Sequence, residues 1–249
     1  MIRTELKQNA KNQLRGNWTW AIGVTLIISI VNLVISIGYF QKAIHGTLPG
    51  VNYQIEIRAI LQTILSIFTN FFALSFAISF LNLTEGKKDS IGKAAFSMFY
   101  NNLFTPELLN YIMQLLFEFF WSLLLIIPGI IKSYSYALTP YIVKDMVESG
   151  QKVTYTTGVT ASKELMQGHK WELFVLDLSF AGWYLLLIFL GAIIGVVIGS
   201  AVHFNLTYIA TCSIVAGIAA GIGNLWLTPY VQTTKANFYR QLAGDQFQH

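Results

Sequence analysis

Residues 123–145 read LLLIIPGIIKSYSYALTPYIVKD. Two apolar runs meet at Pro128-Gly129, a pair that ends a helix or bends it sharply. If the helix ends there, 108–127 and 129–146 are the two arms of a tight helical hairpin. If it only bends, one long kinked helix runs through 108–146. The number of membrane crossings, and the side on which everything downstream lies, follows from this choice.

That the solvent is a membrane follows from composition. Of 249 residues 54% are hydrophobic and only 11% are charged, against about 25% charged in a soluble domain. So few charges cannot cover a globule of this size in water. A hydrocarbon core takes about 20 apolar residues per helix, and the chain offers such runs at about 19–40, 59–83, 108–127, 129–146, 173–200 and 207–231. The expected fold is all-α, a single integral membrane domain over 1–249 with about six spans, an amphipathic segment at 1–17 and a polar tail at 232–249.

Charge favours the hairpin. With six spans, the basic residues of segments 1–17, 84–106, 144–171 and 232–249 share one side. All of the 16 Lys and Arg except Lys42, Arg58 and Lys132 then lie there. Excess Lys and Arg in short loops mark the cytoplasmic side, so both termini are expected in the cytoplasm. A single kinked helix would largely erase this bias.

Several segments read as surface helices on that side. Ile2, Leu6, Ala10 and Leu14 recur every four residues, with Arg3, Lys7, Lys11 and Arg15 on another face, which suits a helix on an anionic membrane surface. IGKAAFSMFYNNLF at 91–104 and the segment about 144–171 read similarly. The strings LTPYI (138–142) and LTPYV (227–231) each end a predicted span. Pro140 and Pro229 are expected to loosen the last turns, Tyr141 and Tyr230 to sit at headgroup depth, and Lys144 and Lys235 to snorkel to phosphates. The likeness fits two related hairpins or convergence on a good membrane exit.

Gly191, Gly195 and Gly199 recur at a spacing of four, as do Gly217 and Gly221. Small residues so spaced let helix backbones approach. The two strips are expected to face one another within the molecule, with a homo-oligomer seam as the rival. Ionisable groups inside spans are candidates for function by default: Glu118 half-way along 108–127, Asp177 near the start of 173–200, and Lys132 just past the Pro-Gly pair. Glu118 and Lys132 are expected within reach across the hairpin.

The sequence carries no phosphate-binding Gly loop, no His-Glu-x-x-His, no nucleophile elbow and no paired-cysteine metal site. Cys212 is single and lies in an apolar run. The expectation is therefore no catalytic residue, no cofactor and no metal. Dispersed basic residues also argue against a nucleic-acid partner. Membrane lipids are the expected partner, together with a membrane protein held through the cytoplasmic-face helices. Scaffolding or assisting other envelope proteins is the leading reading. A small-solute, ion or lipid transporter using Glu118, Lys132 and Asp177 is the alternative.

ELKQNAKNQLRGNW near the start, the Ile-Pro-Gly-Ile turn, Ser162, Leu165, Met166, Gly168 and Trp171, and Pro229-Tyr230 followed by Phe238-Tyr239-Arg240 together resemble a bacterial integral-membrane family, domain of unknown function 975. That resemblance covers nearly the whole chain. It implies a polytopic bacterial plasma-membrane protein and carries no catalytic residue with it.

Overall fold

The computed structural model describes residues 3–30, 72–200 and 206–248, and these are helical with no strand among them. In chain order the helices are α1 (Arg3–Leu14), α2 (Trp18–Ile30), α3 (Phe72–Thr84), α4 (Ile91–Ala95), α5 (Phe104–Leu124), α6 (Ile126–Tyr136), α7 (Thr139–Glu148), α8 (Thr157–Leu165), α9 (Lys170–Ser200) and α10 (Leu206–Ala243). A 3-10 turn at Ser97–Phe99 follows α4.

The molecule has a polar end and an apolar end. At the polar end Leu6, Ala10 and Leu14 of α1 are buried, as their spacing of four predicts. They pack on protein, however, and not on lipid. Gln13 and Asn237 exchange amide hydrogen bonds of 3.1 and 2.8 Å between α1 and α10, and Lys7 Nζ sits 4.1 Å over the Phe180 ring. Leu6 joins one core with Tyr141 and Ile142 of α7, Leu173 and Leu176 of α9, and Phe238 and Tyr239 of α10. The C-terminal residues close it, Phe247 O accepting from Ser149 Oγ at 3.1 Å. A second core joins α2 to α3 through Trp20, Val24, Phe76 and Phe80.

The segment after α3 is held by buried hydroxyls. Ser79 Oγ donates to Ala94 O at 2.5 Å and Ser97 Oγ to Ser75 O at 2.9 Å. Ala94, Ala95 and Met98 are buried, while Phe96, Phe99, Tyr100 and Phe104 stay exposed. The expected apolar face at 91–104 is thus split. Part of it builds the core, and part forms an outward cluster of aromatic rings, Phe99 and Phe104 stacking at 5.3 Å.

The apolar end is built from α9, α10 and the α5–α6 pair. α9 is the one helix among the described residues long and apolar enough to cross a membrane, over Lys170–Val197. It carries exposed Leu178, Leu185, Ile188, Phe189 and Val197. Soluble proteins rarely expose a contiguous apolar surface of this extent.

Several expectations need correction. The break between predicted spans 108–127 and 129–146 falls at Leu125, not at Pro128-Gly129. Leu125 has extended backbone, and Pro128 then sits in the first turn of α6, where its missing N–H costs nothing. The run 129–146 is no span, because the chain turns again at 137–138 and restarts as α7. Pro140 lies in the first turn of that helix and loosens no last turn. Pro229 lies inside α10, which continues to Ala243. The two LTPY strings therefore occupy different structural settings. Predicted spans 173–200 and 207–231 correspond to α9 and the first part of α10. Of predicted spans 19–40 and 59–83, residues 19–30 and 72–83 are helical, in α2 and α3, and the remainder lies outside the described residues.

Candidate functional site

Charged side chains gather at two levels, a lock within the polar end and a layer where that end meets the apolar helices. The lock joins the end of α3, α7 and the end of α10. Lys144 is 0% exposed and reaches both Glu85 carboxylate oxygens at 3.2 Å and Glu148 at 3.0 Å. It does not snorkel to a phosphate. Such full burial of an ammonium is tolerable only with partners on hand. Asp145, next along α7, accepts from Arg240 Nη1 at 2.5 Å, Arg240 Nη2 at 2.8 Å and Tyr239 Oη at 2.7 Å. Arg240 also bonds Glu85. Burial pushes the Asp145 carboxyl up, while the bonds from Tyr239 and Lys144 pull it back. Tyr141, expected at headgroup depth, is instead buried, stacked on Tyr239 at 5.2 Å. A surface recess of about 360 Å³ opens beside the lock, lined by Glu85, Lys87, Asp145, Glu148, Ser149 and Gln248.

The layer holds the three residues singled out in the sequence. Asp177 pairs with Lys235 at 3.0 Å and lies 3.5 Å from the Tyr134 hydroxyl, so α6, α9 and α10 meet at one height. Lys235 is thereby tied to protein and not to lipid. Glu118 accepts from Gln114 Nε2 at 2.9 Å on its own helix, and its charge acts on Tyr111 and Tyr136. Neighbouring Phe117 touches Tyr136 at 6.1 Å between ring centres. Glu118 thus stands near the base of α5–α6, below the middle assigned to it by its place in the run. Lys132 does not pair with Glu118. Its ammonium sits 4.2 Å over the Trp121 ring, and Lys163 and Lys170 stand close enough for their charge to act on it. Lys132 therefore faces the polar end, not the far side. Lys42 and Arg58 lie outside the described residues.

Two groups escaped the sequence reading. Asn110 is fully buried and saturated, donating to Pro106 O and Thr154 O at 2.9 and 2.8 Å and accepting from Gly158 N at 2.8 Å. Glu107, one turn earlier, is 1% exposed, and its Oε1 has no hydrogen-bond partner among the described residues. Burial alone pushes its carboxyl well above the ordinary range. A polar residue early in an apolar helix is the only signal either one leaves in the sequence.

The glycine strips are partly rearranged. A Cβ on Gly191 would lie 2.7 Å from Ala216 O, so α9 does press on the α10 backbone there. Gly195 is buried too, and the surroundings of Gly199 lie outside the described residues. Gly217 and Gly221, however, meet nothing within 4 Å among the described residues. Gly223 takes the opposing role, with Leu187 seated where its Cβ would be.

Among the described residues no cluster of His, Cys, Asp and Glu could hold a metal ion. The family described as "Protein of unknown function (DUF975)" matches residues 1–139 and 123–246. The chain belongs to that family. No curated protein and no solved structure matches it.

Proposed function

We propose that this protein is a multi-pass plasma-membrane component, without enzymatic activity, that presents its polar end to the cytoplasm as a platform for other envelope proteins. The observation that carries the reading is the segregation of surfaces. Exposed aliphatic side chains of α5, α6 and α9 crowd one end, while both termini, the 85–103 segment with its outward aromatic rings, α7 and α8 share the other. Arrangement of the basic segments on that same end agrees with the inward bias of Lys and Arg. In this reading α9, α10 and the predicted spans 19–40 and 59–83 cross the bilayer, an even number that keeps both termini inside.

The lock supports a platform over a moving part. Breaking it would strand buried charges, so the polar end holds one shape. Asp177, Lys132 and Glu118 each already have a partner within the protein, Lys235, the Trp121 ring and Gln114 respectively, which leaves them poorly suited to pass an ion along. The strip at Gly217 and Gly221, which meets nothing within 4 Å among the described residues, would offer a flat face to a second copy.

Three measurements test this. Cysteines at Lys88 and Glu164 should be labelled by an impermeant maleimide from one and the same face, and opposite faces would refute the arrangement. A photo-crosslinker at exposed Tyr155 should give a discrete adduct in cells that one at lipid-facing Leu186 does not. Proteoliposomes showing an ion or lipid flux that Glu118→Gln or Asp177→Asn abolishes would replace the platform with a transporter.

A further inference from the structure

We propose that the α5–α6 pair is a re-entrant wedge, buried in the acyl chains of the cytoplasmic leaflet and stopping short of the outer surface. This rests on the membrane reading above and changes what the hairpin does within it.

The contact of Tyr134 with Asp177 fixes α6 against α9, and the Asp177–Lys235 pair fixes α9 against α10. From Tyr134 to Ile126 the chain rises about 12 Å at 1.5 Å per residue. From Asp177 to Ser200, α9 rises about 35 Å, enough for a hydrocarbon core of about 30 Å. The hairpin therefore ends about 20 Å below the end of α9. Paired positions along the arms agree with this height, since Ser122 packs on Gly129, Trp121 on Lys132 and Phe117 on Tyr136.

The tip has the composition of a buried element and the exposure of a surface one. Leu123, Leu124, Leu125, Ile126 and Ile127 are 66 to 77% exposed, with no polar side chain among them. A turn meant for the outer water would carry polar residues. The backbone suits hydrocarbon as well. Leu125 N donates to Trp121 O and Gly129 N to Leu125 O, while Pro128 brings no N–H to satisfy. Non-helical backbone at membrane depth is expensive, and here it is confined to one residue. At the base, Lys132 over Trp121, with Lys163 and Lys170 nearby, supplies the cations and the ring found at the phosphate level of a leaflet. The occupant of the exposed apolar faces is thus lipid chain.

The test uses full-length protein carrying Cys212→Ser, with Leu125→Cys or Ile127→Cys added. Both tip residues are largely exposed, Leu125 at 69% and Ile127 at 71%, so folding should be spared. Lys88→Cys marks the inner face, and His203→Cys marks the predicted turn between α9 and α10. In sealed right-side-out and inverted vesicles the tip cysteines should react with impermeant maleimide no more than the Cys212→Ser background. A bimane placed at 125 should be quenched most by lipids brominated deep in the acyl chain. Labelling of the tip from the His203 side would make α5 and α6 two full spans and overturn the wedge. Labelling from the Lys88 side would place the tip outside the bilayer and overturn it equally. Should His203→Cys react from the same face as Lys88→Cys, the membrane crossing itself fails and the wedge falls with it.

Discussion

Arg240 holds Asp145 with both arms of its guanidinium, Nη1 on Oδ2 at 2.5 Å and Nη2 on Oδ1 at 2.8 Å, across 95 residues of chain. This fork ties the end of α10 to α7, and through Glu85 to the end of α3. A lysine cannot reproduce a planar two-point contact. Removing one partner of a buried pair typically costs about 3–5 kcal/mol, because the other is left uncompensated. Arg240→Lys and Asp145→Asn should each lower the unfolding midpoint strongly, with the double variant losing much less than the sum. Tyr239→Phe, which deletes one bond to the same carboxylate, should lose about 1.5–3 kcal/mol. Chemical denaturation in a mild detergent measures all four variants. Additive losses would show that the fork carries no coupling.

The lock also marks the boundary of what sequence makes visible. Helical character was legible because burial follows spacing: Leu6, Ala10 and Leu14 recur every four residues and are buried. The burial of Lys144 was not. Its partner Glu85 lies 59 residues away, in a loop whose charges look like solvent-exposed ones. The string YIVKDM gives no sign that its lysine points inward. Pro128-Gly129 misled for a local reason. Proline is welcome in the first turn of a helix, so it marks a start as readily as a break. Gly217 and Gly221 matched Gly191 and Gly195 in spacing, yet spacing does not set the rotation of α10. The contact fell instead to Ala216 and Gly223.

Glu107 gives a pH dependence with a defined sign. Its carboxyl is pushed well above its ordinary value of 4.5 by burial. The folded protein therefore keeps a proton that the unfolded chain gives up as pH rises past that value. Whenever the folded state binds the extra proton, stability falls with rising pH. The contribution is fully present at acid pH and is lost progressively between the ordinary value and the raised one. Glu107→Gln keeps the shape without the titration. Thermal midpoints in nanodiscs from about pH 5 to about pH 9 should fall more steeply for the native protein than for this variant. Parallel curves would mean that the carboxyl finds a partner and does not titrate with folding.

Gly191 and Gly217 separate two meanings of a glycine strip. At Gly191 any side chain collides with backbone, at 2.7 Å from Ala216 O, and backbone cannot step aside as a side chain can. Gly191→Leu should push α9 from α10 and cost at least the ~1–3 kcal/mol typical of overpacking. At Gly217 an added Cβ meets nothing within 4 Å among the described residues, and Gly217→Leu should leave the monomer's midpoint unchanged. The pair is read by thermal unfolding in nanodiscs holding one copy each. If Gly217→Leu proves the more damaging of the two, α9 and α10 face one another differently from this arrangement.

Gly158 lets α8 close on α5 and α7. A Cβ there would lie 2.3 Å from Val143 Cγ2 and 3.0 Å from Asn110 Oδ1, and Gly158 N is itself bonded to that oxygen at 2.8 Å. Gly158→Ala therefore has to displace the valine or stretch the Asn110 bond. Displacing a core side chain costs about 1–3 kcal/mol. Val143→Ala removes the colliding methyl and leaves a small void, with its own cost of similar size. Together the two changes exchange one methyl for another in nearly the same place, so their combined loss should be clearly smaller than the sum. A double-mutant cycle by chemical denaturation reads the coupling directly. Zero coupling would mean that α8 relaxes away from α7 as a body, and that the Asn110 bond to Gly158 does not hold it.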